Sequence, residues 1–198
     1  MKIFLNLLAA TSGGQLSRAS AFLDRFDNFS RSSKLIVVKE KNVLTEYSSK
    51  KNRSIINISI GFSKLKIFKR LLWENFIMSR LIHDQEADVY LTFSHYLPFV
   101  NLKIPSVVGV SNLAPFSDVA WEHESSLVKL KMAILNRTII SSCKRANYVL
   151  ALCELGKHFL IKNKVEEEKI LVTSNGVDKY WNQPTPQTSL FNKLKISQ

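Results

Sequence analysis

The chain has 198 residues, 45% of them apolar, with 12 Phe, 6 Gly and 5 Pro. That is the size of one ordinary domain and too hydrophobic for a disordered polymer. Its 28 basic and 16 acidic residues give a net charge of +12, and +9 of this falls between residues 31 and 80, where 12 Lys/Arg meet 3 Asp/Glu. Such a concentration implies an anionic partner: nucleic acid, phospholipid headgroups or a phosphorylated substrate.

In chain order, "MKIFLNLLAATSGG" imitates a secretory signal, but its apolar run is only about 8 residues long and Asn6 interrupts it, so a first β-strand is the better reading. "TSGG" then reads as a loop, and "QLSRASAFLDRF" places Leu16, Ala19, Phe22, Leu23 and Phe26 on one helical face. "KLIVVKEK" (34–41) and "SIINISIGF" (54–62) are predicted strands. "SKLKIFKRLLWENFIMSRLIHDQEA" is predicted as a helix. In it Leu65, Phe68, Leu72 and Phe76 recur at helical spacing, while Lys66, Lys69, Arg70 and Trp73 gather on another side. Two readings of that basic side stand open: a solvated face of a core helix, or a surface that leans on anionic lipid.

"DVYLTFS" (88–94) and "PSVVGVS" (105–111) are the next strands, followed by a long helix from about Glu122 to Arg145, with "WEHESS" as its acidic start. "YVLALC" (148–153), the helix "LGKHFLIKN" and the strand "KILVTS" complete the series. Strands separated by helices indicate βαβ units and a mostly parallel sheet with helices on both faces, an α/β Rossmann-like sandwich. Residues 1–181 are read as this domain and 182–198, "NQPTPQTSLFNKLKISQ", as a linker or tail.

No stretch reaches the roughly 20 apolar residues needed to span a bilayer. Cys143 and Cys153 form neither a CxxC pair nor a zinc knuckle, which fits a reducing cytoplasm, and the histidines lack metal-ligand spacing. No nucleic-acid recognition module is evident.

In an open parallel sheet the ligand sits beyond the carboxyl ends of the strands. The candidates there are Gly13 and Gly14, Ser94 and His95, Asn112, Glu154, and Asn175 with Asp178. Gly13-Gly14 would let a phosphate approach backbone amides at a helix start, although "TSGGQLS" is neither GxGxxG nor a Walker loop, and a tight turn explains it as well. His95 could act as a base or bind a hydroxyl, or simply pack in its loop.

The segment "ANYVLALCELGKHFLIKNKVEEEKILVTSNGVD" (146–178) resembles the stretch that closes the N-terminal, acceptor-side domain of family 4 glycosyltransferases of the GT-B fold. "MKIFLNLLAATSGGQLSRASAFLDRF" is similar to that family's opening strand, glycine loop and first helix, and "ADVYLTFSH" and "PSVVGVSNLAPF" to its fourth and fifth strands. Asn147, Cys153 and Ser174 stand where Asp, Ser and Pro are usual, and Ser111-Asn112 stands where many members place a His.

The resemblance implies half of a nucleotide-sugar-dependent transferase, usually retaining, with no metal or cofactor and a nucleotide-sugar as co-substrate. Gly13 and Gly14 would meet donor phosphates. Ser94, His95, Ser111, Asn112 and Glu154 would face the acceptor, and Asn175, Gly176 and Asp178 would border the interdomain cleft. It further implies a C-terminal donor domain supplied elsewhere; the basic face points to a glycan or lipid-linked acceptor and a cytoplasmic site at the membrane's inner face, and the missing recognition modules to no nucleic acid. A truncated product, a cut fragment and one subunit of a split transferase all fit such a half. The alternative is a non-catalytic Rossmann-type module docking on anionic membrane or a phosphate ligand.

Overall fold

A computed structural model describes residues 1–29, 32–59 and 66–173, without the side chains of residues 27–29, 66–68 and 118. Seven strands form one sheet in the order β3-β2-β1-β4-β5-β6-β7. They are β1 (Lys2–Asn6), β2 (Lys34–Glu40), β3 (Arg53–Ile58), β4 (Val89–Thr92), β5 (Ser106–Val110), β6 (Tyr148–Ala151) and β7 (Ile170–Val172). Every pairing is parallel. The helices are α1 (Gly13–Phe29), α2 (Lys66–Phe76), α3 (Met78–Asp84), α4 (Ser126–Arg145) and α5 (Glu154–Lys162). This is the doubly wound Rossmann-like arrangement expected, and the topology reverses between β1 and β4.

The strands read as continuous apolar runs because both faces are covered. Leu5, Leu35, Val37 and Leu91 pack toward α1, where Ala19, Leu23 and Phe26 close the layer with Leu16 and Phe22 at its margin. Phe4, Ile36, Tyr90, Val108 and Val149 point the other way, against Met78, Ile82, Ile139 and Leu160 of α3, α4 and α5. Each such aliphatic contributes about 1.5–3 kcal/mol by leaving water.

Two crossings have no helix. Residues 41–52 connect β2 to β3, with the Tyr47 hydroxyl donating to Asp24 at 2.8 Å. Residues 93–105 connect β4 to β5, held where Leu97 N donates to Ser142 Oγ at 3.0 Å and Arg145 reaches the Pro98 and Leu97 carbonyls at 2.6 and 2.7 Å.

Three expectations need correction. The helix predicted from Ser63 is interrupted at Ile77. Its inward column is Glu74, Met78 and Ile82, all buried, whereas Leu72 is 41% and Phe76 75% exposed. The cause is polar: Asn6 and Tyr90 lie buried in adjacent strands, and Asn6 Nδ2 donates to Glu74 Oε1 at 2.8 Å and to Tyr90 Oη at 2.9 Å. Turning a carboxylate inward satisfies that donor, and Leu72 and Phe76 turn out; Leu65 and the Phe68 side chain lie outside the described residues. Last, α4 starts at Ser126 without acidic residues in its first turn. The segment before it forms a 3-10 turn, Asp118–Trp121, tied down by Trp121 Nε1 donating to Ala114 O at 2.6 Å.

Candidate functional site

At the point where the topology reverses, the carboxyl ends of β4 and β5 meet the start of α1. Gly13 enters α1 with φ +63°, a left-handed conformation that glycine adopts without a Cβ penalty. Neither Gly13 nor Gly14 has a neighbour that a Cβ would touch, so a ligand can reach the backbone of this turn. Directly after these glycines, Gln15 and Arg18 lie three apart on α1, toward the ends of β4 and β5.

After β4 the chain turns through Phe93 and Ser94 to His95, whose φ of 61° is unusual for a residue bearing a side chain. That backbone turn swings the buried ring across to the neighbouring strand. Nδ1 stands 2.9 Å from Gly109 O, which can only accept, and 3.3 Å from Ser111 N, which can only donate; the shorter contact assigns the proton to Nδ1. Nε2 is therefore an acceptor, 2.9 Å from Gln15 Nε2 and 3.4 Å from Ser111 Oγ. Burial, with a smaller contribution from the Arg18 charge, lowers the imidazole to about 4 despite the opposing bond to Gly109. The ring is neutral throughout the physiological range, a weak base whose one acceptor lone pair receives Gln15 Nε2–H, so a ligand hydroxyl would have to displace that amide.

Arg18 completes the corner. Its guanidinium lies 4.5 Å above the Phe93 ring, and burial lowers its pKa from the usual arginine value. Nη1 is buried and makes no hydrogen bond among the described residues. It approaches Gly109, where an added Cβ would stand 3.2 Å from Nη1, 3.1 Å from Phe93 Cδ1 and 3.3 Å from Thr92 O. Glycine is thus favoured there by contact, not conformation, since a Cβ would need these neighbours to give by a few tenths of an ångström. The corner combines a cation with an unspent donor, an exposed helix entrance and a neutral imidazole, a set that can hold an anionic group beside a hydroxyl.

Of the residues read from sequence, His95 and Ser111 come together here beside the α1 turn that begins at Gly13 and Gly14. Ser94 does not join them: its Oγ lies 2.7 Å from Thr92 Oγ1. Asn112 is exposed and caps its own loop, Oδ1 accepting from Ala114 N at 3.1 Å. Glu154 is exposed at the start of α5, after β6. Asn175, Gly176 and Asp178 lie outside the described residues, as does the Lys66 side chain. Lys69 is exposed, but Arg70 turns to Glu74 (Nε–Oε2 3.6 Å) and Trp73 packs on the core, so these two do not form an outward basic face. Gln15 and Arg18 were missed, although their spacing after the glycine turn could have suggested them. No group of three or more His, Cys, Asp or Glu able to hold a metal occurs among the described residues.

No family model and no curated protein matches this sequence. Solved structures do match in shape. HepE of Anabaena in complex with UDP-glucose aligns with a TM-score of 0.55 at 13% identity, covering 98% of this chain and 50% of that one. A glycosyltransferase from Rickettsia africae gives 0.54 at 15%, covering 100% and 50%. The UDP-GlcNAc 2-epimerase of Methanocaldococcus jannaschii gives 0.58 at 17%, covering 100% and 54%. The chain therefore spans about half the length of these structures, and at such identities the likeness establishes the fold: a Rossmann-like unit of the kind found in glycosyltransferases and UDP-GlcNAc epimerases.

Proposed function

We propose that this chain is the acceptor-side half of a nucleotide-sugar-dependent, retaining glycosyltransferase of family 4, acting on a glycan or lipid-linked acceptor at the cytoplasmic face of a membrane. The observation that carries the reading is the corner at the topology switch, where the Arg18 cation and the open Gly13-Gly14 turn adjoin the neutral His95 acceptor. Solved relatives of the fold in complex with UDP and UDP-glucose support a nucleotide-sugar as the partner.

In the transfer, the bond between the sugar's anomeric carbon and the donor diphosphate breaks, a bond to the acceptor oxygen forms, and the acceptor hydroxyl's proton passes to the departing diphosphate. Negative charge grows on the leaving diphosphate, and fixed donors aimed at that charge lower the barrier. The amides of the α1 entrance and Arg18 would supply such donors, while Ser111 and, once Gln15 is displaced, His95 Nε2 would accept from and orient the acceptor hydroxyl. Neither a metal nor a cofactor is invoked. Closure of a second, donor-binding half over this wall would exclude water.

The test is transfer of radiolabelled sugar from UDP-sugars to lipid-linked acceptors, with the chain alone and mixed with candidate donor-domain polypeptides. Turnover should require the mixture and fall at least tenfold in His95→Asn. Full turnover by the chain alone, or an unaffected variant, refutes the reading. The charge of +12 also favours a second reading, a non-catalytic module that binds an anionic surface or phosphate ligand; it predicts no transfer in any mixture.

A further inference from the structure

The inverted face of α2 leaves open which surface meets an anionic partner, and α4 carries a better one. Within Ser126–Arg145 there is no Asp or Glu, but there are Lys129, Lys131, Arg137, Lys144 and Arg145. Ile139, Ser142 and Cys143 are buried against the sheet. On the opposite side Leu127, Leu130 and Ile134, at i, i+3 and i+7, are 77%, 59% and 58% exposed. Lys131 and Arg137 are exposed and flank this stripe on its two sides.

A narrow aliphatic stripe with a cation on either side and no carboxylate on the helix does not match a protein groove, which would bury the stripe and leave the cations unpaired. It matches an interface where apolar groups enter between headgroups and the cations remain at headgroup level. The position also fits. Because α4 follows β5, its first turns lie on the carboxyl side of the sheet, the same side as His95 and Ser111.

The geometry points to the Leu127-Leu130-Ile134 face of α4, with Lys131 and Arg137, as the surface that docks this protein on anionic phospholipid. It rests on the proposed membrane setting, but the vesicle measurement uses no sugar and no donor half, so loss of docking and loss of transfer are read separately. Once docked, the strand-end corner lies close to the bilayer surface, where a lipid-linked hydroxyl would be presented.

The experiment is co-sedimentation of the full chain with phosphatidylcholine vesicles, with and without a quarter phosphatidylglycerol, at low and high salt. Binding is expected only with phosphatidylglycerol, weakening as salt screens the headgroups. Lys131→Glu/Arg137→Glu and Leu130→Ser/Ile134→Ser should each reduce the bound fraction at least tenfold with unchanged circular dichroism. The exposed pair on α2, Leu72→Ser/Phe76→Ser, should bind as wild type. Overturning results are no binding to anionic vesicles, equal binding to neutral ones, α4 variants that still bind, loss in the α2 pair instead, or a concentration-dependent dimer that buries the α4 stripe.

Discussion

Replacing His95 by Asn tests the corner without invoking any substrate. Asn tolerates the left-handed backbone at this position, φ 61°, and its side-chain amide can donate to Gly109 O as Nδ1 does, so the fold should persist. What disappears is the titration. A buried imidazole lowered to about 4 binds its proton less readily than the unfolded chain, whose value is near 6.5. Between those values the unfolded state holds more protons, so native stability falls as the pH drops from 6.5 toward 4 and the loss is complete below 4. From about pH 7 to pH 5 the two values give a loss of about 2 kcal/mol, approaching about 3 kcal/mol at lower pH. Urea unfolding of both proteins at the two pH values isolates this contribution, because other titrating groups cancel in the difference. Wild type should lose about 2 kcal/mol more than the variant. If the two fall in parallel within about 0.5 kcal/mol, the ring is not held neutral at the strand ends, and its role as an acceptor fails with it.

Three further outcomes follow from other residues. Gly109→Ala should cost about 1–3 kcal/mol in thermal or urea unfolding, since its Cβ meets the fixed Thr92 carbonyl as well as two side chains. Gly14→Ala, in open space on a helix, should be neutral or stabilising by about 0.5 kcal/mol, yet weaken pyrophosphate binding in calorimetry if a phosphate approaches that turn. For Glu74, burial pushes the carboxyl up from 4.5 against the pull of Arg70 and the bond from Asn6. The folded state then keeps its proton longer than the unfolded one, so this residue favours folding at low pH and loses that advantage as the pH rises through its folded value. Glu74→Gln keeps an acceptor for Asn6 without the charge, and its stability relative to wild type should improve from pH 4 to pH 7. A difference that is flat with pH would mean that Arg70 fully compensates the buried carboxylate.

The sheet was legible because parallel strands covered on both faces appear as uninterrupted apolar runs, and all seven lie where such runs occur, trimmed by a residue or more at their ends. The α1 face was legible for the same reason, since Ala19, Leu23 and Phe26 obey helical spacing and nothing polar competes. In α2 the spacing rule failed because it assumes that carboxylates face water. Glu74 instead answers Asn6, 68 residues earlier, and no local pattern reveals a partner at that distance. His95 and Ser111 were found by following strand ends, but Gln15 and Arg18 gain their meaning from residues 80 and 75 positions away, His95 and Phe93. The acidic residues around His123 resembled a helix start, yet the helix begins only after a 3-10 turn whose anchor is the Trp121 indole.

Under the proposed family 4 reading, the placement of His95 also bears on Ser111-Asn112, where that resemblance leads one to expect a histidine at the end of the fifth strand. Here the imidazole hangs from β4 and crosses to β5, bonding Gly109 O at 2.9 Å and lying 3.4 Å from Ser111 Oγ. If the reaction needs an imidazole at this strand end, its strand of origin should be exchangeable. In the mixed transfer assay, His95→Asn should lower kcat by at least tenfold, and adding Ser111→His should restore part of that loss. Rescue should come in kcat, because a hydroxyl held in line for attack gains in the transition state more than in ground-state binding. A double variant that folds and binds the acceptor but stays as slow as the single one would tie the function to the β4 loop, and the positional equivalence would fall. A double variant that recovers would show that the left-handed turn at His95 serves to deliver a ring to a site its own strand does not reach.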